Sequence, residues 1–478
     1  MRVRWLLCAV LVHTSGCTLG PDYARPAVPV PAAWRAVTTS EQETLANTPW
    51  WELFRDPELV RLIEIALGEN KDLAIAVERI EEARSSYGFQ RAERFPRLDL
   101  SASAGRAQAS RVGVPAVPAG VDNEDSLYIV ACTVAWELDF FGRIRRATEA
   151  ELALLYAAEQ ARRAVVLTLV ADVARAYVEL RDLDQRLETA RRTLESRREY
   201  VELAHERFAG GLTSELDWRQ AEAEQARTAA LVLDFERAVA QKENELSALL
   251  GRNPGAIPRG QTLDELAVPE SVPAGLPSEL LERRPDVRAA EEQLAAASAR
   301  IGATRALLYP RIALTGSLGQ ESSALGDLLN APARAWSLAT NLVQPLFDAG
   351  KNRRAVEVSE SQQRHALRAY ERALLQAFRE VEDALVGLRQ AGLRRASEGQ
   401  RLAAERKVLE LAELRYRGGV SAYLEVLDAQ RSLFGAELDA SSAARDECVA
   451  LIQLYKALGG GWTPARAADE DDAASPRN

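Results

Sequence analysis

The sequence predicts a mixed α and β membrane protein built from two copies of one unit. Three observations predict it. Between Gly142 and Gly210 there is no proline or glycine, and Lys351 to Tyr416 repeats that long helical stretch with only Gly387, Gly392 and Gly399 inside it. Four short segments alternate apolar with small or polar residues, the period of strands with one face in lipid. Landmarks also recur 208 positions apart: Gly142 with Gly350, Phe208 with Tyr416, Gly211 with Gly419 and Gly251 with Gly459. FPRLDL at 95–100 corresponds to YPRIAL at 309–314, offset by 214, and the six extra residues fall where a strand loop absorbs them. A fixed offset held over about 110 residues is what one rigid helical geometry used twice requires.

Residues 1–16 read as a signal peptide, with Arg2 and Arg4 before an apolar core from Trp5 to Val12 and small residues after it. Cys17 follows directly. Cys8 leaves with the signal, and Cys132 with Cys448 is one possible pair, no disulfide framework for a chain of 478 residues. No other run approaches the roughly 18 apolar residues of a spanning helix, so any membrane crossing is made by strands. The formal charge of −10 becomes −12 once Arg2 and Arg4 are removed. Basic residues scattered along helices in so acidic a chain leave no footprint for nucleic acid.

Residues 17–56 form an extended lead, stiffened by Pro21, Pro26, Pro29 and Pro31. The first unit spans 57–251. Leu59, Leu62, Ile63, Ala66 and Leu67 mark a helix from Pro57, and a second helical run goes from Leu73 to about Arg91. Strands are expected at 97–107 and 126–139, then a helix over 143–208. In it Ala176, Leu180, Leu183, Leu187, Ala190 and Leu194 make a coiled-coil seam. At 1.5 Å per residue that helix is roughly 100 Å long. After a return helix from Thr213 to Leu250, a Pro/Gly-rich linker occupies 252–282. The second unit, 283–461, opens with a helix to Leu307, with strands expected at 311–320 and 335–347 and the long helix at 351–416. A last helix runs from Ser421 to Leu458, and the acidic tail 462–478 is expected to be disordered. The return helix and the 283–307 helix together match one long helix, so they are expected to stack end to end. The last helix should stack likewise on the region near 57–91. Trp136 and Trp336 are candidates for interfacial girdles.

Four strands cannot close a barrel, and open edges are not tolerated in lipid. The chain must therefore assemble. Eight strands leave an interior filled by side chains, whereas three copies give twelve, the smallest multiple that leaves a conduit.

Each long helix ends in a glycine pair, in RFAGGLTSELDW at 207–218 and RYRGGVSAYLEV at 415–426. Glycine supplies the positive φ that a tight turn between antiparallel helices demands. Beyond the second turn Glu425 and Asp428, three residues apart, project from one helical face.

These stretches, with GCTLGPDYARP at 16–26, LPSELLERRPDVRAAEEQL at 276–294 and YPRIALTGSLG at 309–319, resemble the TolC-like outer membrane efflux proteins. The likeness is to their lipoprotein branch, which serves resistance-nodulation-division pumps. The resemblance implies a homotrimer: a twelve-strand outer-membrane β-barrel, four strands per chain, continuing into a long α-helical periplasmic tunnel. It implies lipid on Cys17, and Thr18 rather than Asp after it fits an outer-membrane address. The tips Gly210, Gly211, Leu212, Gly418, Gly419 and Val420 would dock a periplasmic adaptor, which couples to an inner-membrane pump. Glu425 and Asp428 would form the acidic ring of the periplasmic entrance, and Tyr416 and Asp217 its closing links through hydrogen bonds. Some relatives carry arginine where Ser421 stands, which leaves Arg415 or Arg417 as candidate substitutes. No cofactor or metal is implied.

Enzyme readings find little. Glu202 and His205 have the Glu-x-x-His spacing of a di-iron ligand pair, but Gln362 precedes His365 where a second pair would need a carboxylate. A type I secretion exit duct and a non-channel structural coiled-coil lipoprotein are the alternatives. The latter leaves the alternating strands unexplained, and a periplasmic adaptor would need only one hairpin and no barrel strands.

Overall fold

The computed structural model describes residues 18–35, 56–114, 116–266 and 275–460. The signal peptide, Cys17 and the tail 462–478 lie outside the described residues. The chain divides into two compact units. One comprises residues 1–26, 79–158 and 290–370; the other comprises 27–78, 159–289 and 371–478.

The first unit holds a four-stranded antiparallel sheet in the order β1 (Arg97–Gln108), β2 (Glu124–Leu138), β3 (Arg311–Ser322) and β4 (Arg334–Val343). Its register sorts the alternation into two faces. Leu100, Cys132, Leu318 and Trp336 form one row across all four strands, and Leu98, Val134, Gly316 and Leu338 form the next-but-one. The row between them is Asp99, Thr133, Ser317 and Ser337. Because side chains alternate along a strand, one face is apolar and the other carries small and polar groups. On the polar face the Ser317 and Ser337 hydroxyls are 2.8 Å apart, and Asn341 donates to Thr315 at 3.1 Å. Among the described residues nothing covers the apolar face: Leu100 is 79% and Trp336 74% exposed. Among the described residues the edge strands β1 and β4 each pair on one side only, with β2 and β3. Trp136 and Trp336 pair with Leu314 and Leu318, four residues apart on β3. At about 3.3 Å per residue they are separated by roughly 13 Å, too little to bracket an apolar band about 25 Å tall.

Residues 18–25 pack on this unit. Gly20 takes φ +94° and meets the backbone of Gly302 so closely that neither position has room for a Cβ. Arg146 reaches Asp22 at 2.5 Å, and Arg25 bonds both oxygens of Glu291 at 2.6 and 2.7 Å.

The helices longer than one turn among the described residues are α1 (Pro57–Glu69), α2 (Lys71–Ala92), α3 (Arg143–Ala209), α4 (Glu215–Leu249), α5 (Pro285–Arg305), α6 (Lys351–Arg417) and α7 (Tyr423–Ala457). Both long helices, α3 and α6, have 67 residues and pass unbroken through their full lengths, the three glycines of α6 included. Asp56 caps α1 from a buried position and also accepts from Tyr177 at 2.8 Å and the Gln261 amide at 2.9 Å, which pins the linker to α3.

The stacking partners differ from the expectation. Asn70, at the α1–α2 junction, donates to the Leu249 carbonyl at 2.8 Å, and Glu69 pairs with Arg252 at 2.9 Å, so α4 abuts α2. Arg284, just before α5, donates to the Ala457 carbonyl at 3.2 Å, so α7 abuts α5. The α4 and α5 helices, consecutive in sequence, are therefore not the stacked pair. Free carbonyls at each helix end need donors, and Asn70 and Arg284 supply them from distant parts of the chain.

Candidate functional site at the helical tips

Both hairpin turns close in the same way. Leu212 N donates to Arg207 O and Val420 N to Arg415 O, each at 2.9 Å, while Gly211 and Gly419 donate to Phe208 and Tyr416. This six-to-one plus five-to-two pattern is a Schellman cap, and its left-handed residue is the second glycine: φ is +72° at Gly211 and +69° at Gly419. Gly210 and Gly418 keep negative φ. Leu212 is 78% and Val420 73% exposed, so each turn presents one apolar side chain outward.

The tips share one core. Ala204, Ala221, Ala412, Tyr423, Val426, Leu427 and Ala429 are buried together, with Tyr200, Trp218 and Tyr416 packed against them. Tyr423 meets Tyr416 at 5.7 Å and Tyr200 at 6.2 Å between ring centres. Burial pushes the Tyr423 phenol up to about 12. The Arg207 guanidinium lies over the Tyr416 ring at 4.7 Å. Tyr416 is thus a core residue with a cation on its face, and within the chain no hydrogen bond joins it to Asp217. His205 packs on Trp218, 4.8 Å between ring centres.

Glu425 and Asp428 lie on the exposed side of α7, opposite Val426, Leu427 and Ala429. Each has an arginine of its own chain: Arg415 Nε is 3.1 Å from Glu425, and Arg431 Nη1 is 3.5 Å from Asp428. Arg417 turns instead to Glu413 at 3.5 Å. Of the two candidate substitutes for the missing arginine, Arg415 is the one at the acids.

The sequence reading missed a buried cluster one turn deeper. Glu224 on α4 accepts from Arg431 of α7 at 2.5 Å and from Arg197 of α3 at 3.0 Å. Glu224 and Arg197 are each 5% exposed. Burial works against the Glu224 carboxylate, but the Arg431 hydrogen bond and the charges of Arg197, Arg431 and Arg227 outweigh it and hold its pKa below the usual range. Deleting one partner of such a pair leaves a buried charge uncompensated, at a cost of about 3–5 kcal/mol. A carboxylate with a depressed folded pKa stabilises the fold above its unfolded value near 4.5 and loses that contribution as pH falls through the folded value. Glu224→Gln should therefore melt below wild type at pH 7, with the gap closing below about pH 4.5; a gap constant down to pH 3 would refute the assignment.

The sequence matches the family described as outer membrane efflux protein over residues 62–252 and 276–460. The chain belongs to that family. It is 39% identical over 470 residues to the solvent efflux pump outer membrane protein SrpC of Pseudomonas putida, covering 97% of this chain and 99% of the relative. It is 38% identical to the outer membrane protein OprJ of Pseudomonas aeruginosa, covering 96% and 95%. Among solved structures it resembles the outer-membrane channel OprN, with a TM-score of 0.86 at 32% identity, covering 93% of this chain and all of that one. It also resembles the open state of the Neisseria gonorrhoeae MtrE channel, with a TM-score of 0.85 at 35% identity, covering 93% and 98%. This is a family of outer-membrane transport proteins rather than enzymes, with a mixed α and β fold and a long helical region.

Proposed function

We propose that three copies of this chain form the exit duct of a tripartite efflux system, working with a periplasmic adaptor and an inner-membrane pump. The observation that carries the reading is the four-stranded sheet, apolar on one face, polar on the other and open at both edges. A two-faced sheet with free edges is stable in a bilayer only when neighbouring copies close it, and twelve strands leave a polar-lined passage. The two sequence repeats, 57–251 and 283–461 with the 252–282 linker between them, would give the helical tunnel its pseudo-symmetry. Purified protein run unheated on a denaturing gel should migrate as a trimer and open ion-conducting pores in a planar bilayer. A monomer without conductance would overturn the proposal.

The helical tips are the entrance in this reading. Glu425 and Asp428 line it, Gly210 to Leu212 and Gly418 to Val420 dock the adaptor, and Tyr416 and Asp217 are its closing links. Cys17 carries lipid. Thr18, the residue after it, packs on Gly142, between β2 and α3, close to the sheet, which supports an anchor at that end. Metabolic labelling with a fatty acid should mark wild type and not Cys17→Ser, with trimers still formed by the mutant; label on the serine variant would remove the lipid anchor from the scheme.

A further inference from the structure

We propose that Glu224 is a releasable latch, a positioning residue that ties the tip of α7 to the first hairpin within each chain. The proposal rests on the tips being the entrance. Glu224 joins three helices: its own α4, α3 through Arg197 and α7 through Arg431. The two arginine arms are unlike. Arg197 is sealed in, bonding the Glu224 carboxylate and the Glu224 carbonyl at 3.0 Å each and also reaching Thr228, with its guanidinium over the Phe434 ring at 5.6 Å. The Arg431 side chain is 43% exposed and has a second carboxylate, Asp428, within 3.5 Å.

That asymmetry is what makes the latch releasable. When Arg431 leaves, Arg197 still neutralises Glu224, and Arg431 remains solvated beside Asp428. No buried charge is left without a partner, so the large penalty for breaking a buried pair does not arise. Higher on the same helix the contact with α3 has no such exit. The Asp182 side chain is 2% exposed and is held by Ser441 at 2.5 Å, by Arg445 at 2.8 Å and by Arg186 at 2.9 Å. Arg431 and Arg445 are 14 residues apart on α7, about 21 Å at 1.5 Å per residue. Gly435 lies between them, and the nearest atom a Cβ there would meet is the end of Arg401 at 4.0 Å. The tip of α7 therefore has a fixed anchor above, a glycine between, and a latch that opens at its exposed arm.

The test uses purified full-length trimers in planar bilayers. Glu224→Gln and Arg431→Gln should each raise mean conductance by about threefold or more, and the double variant should add little to the larger single effect, because both remove one interaction. Arg431→Lys should stay close to wild type. Selectivity separates a latch from a merely structural role: Arg431→Gln strips Asp428 of its counter-charge and should increase cation preference, whereas Glu224→Gln leaves Arg431 beside Asp428 and should not. Should Glu224→Gln fail to form trimers, the Arg431 variants, altered at the half-exposed arm, carry the same test. Unchanged conductance in Arg431→Gln, or multiplicative effects in the double variant, would overturn the latch. If neutralising Glu425 and Asp428 also leaves selectivity untouched, the entrance reading itself fails; if it shifts selectivity, the latch alone is lost.

Discussion

Gly211→Val with Gly419→Val is expected to abolish export while trimers persist in the membrane. The reason is the backbone rather than space. A Cβ built on either glycine meets nothing within 4 Å, yet φ is +72° at one and +69° at the other. An L-residue in that conformation costs about 1–2 kcal/mol, and β-branching at valine makes it worse. The local way out is to abandon the left-handed conformation, which breaks the Leu212 to Arg207 and Val420 to Arg415 bonds and moves the two exposed apolar side chains the turns present. Neither turn lies in the sheet, so closure of the proposed barrel should be untouched. The matched control is Gly210→Ala with Gly418→Ala. These glycines have no positive φ, and the closest atoms to an added methyl are helix carbonyls at 3.4 and 3.3 Å. That pair should retain most export. Drug susceptibility of a complemented deletion strain, with unheated gels for trimer content, decides it. Full resistance in the valine double variant would show that the turns are not the docking surface.

The turns were legible because a glycine pair between two helical patterns permits few backbone solutions. The sheet was legible for a similar reason. Leu98 and Leu100 alternate with Asp99 and Ser101, and a register slip by one residue would reverse every side chain, so the pattern and the observed rows agree. Stacking was not legible. Matched lengths point to consecutive helices as stacked partners, whereas Asn70 and Arg284 supply caps to helix ends 179 and 173 residues away. Nothing in local periodicity encodes which distant end a donor will reach.

The Glu224 cluster left a faint signal. On α4 the buried positions Ala221, Glu224, Thr228 and Val232 step by three, four and four, so a carboxylate stands on the apolar stripe where a solvated acid would not. One charged residue in a stripe points to a buried partner without naming it, since Arg197 and Arg431 come from helices far apart in sequence. The pairing of Glu425 with Arg415 is of another kind. It crosses the turn, and only the turn's geometry brings the end of α6 alongside the start of α7.

That pairing changes what neutralising the entrance should do. Six bare carboxylates in a trimer would make a strong cation filter, but Arg415 lies 3.1 Å from Glu425 and Arg431 3.5 Å from Asp428 in the same chain. In the proposed trimer six acids face six arginines and the field at the axis largely cancels, so wild type should prefer cations only weakly. Glu425→Gln with Asp428→Asn removes the acids and leaves the arginines. At about 10 Å each uncompensated charge acts on a passing ion with roughly 0.4 kcal/mol in water, less after screening by salt and more inside a narrow low-dielectric wall. Several such charges together are enough to invert a weak preference. The double variant is therefore expected to become anion-selective, with its reversal potential in a salt gradient changing sign, and to lose any block by divalent cations. Arg415→Gln should move the other way, towards stronger cation preference and stronger divalent block. Both shifts should shrink as salt is raised from 0.1 to 1 M, because the Debye length falls from about 10 to 3 Å. A double variant with wild-type reversal potential and wild-type cation block would mean that Glu425 and Asp428 do not line the passage, and that the acids of another helical face set the field at its mouth.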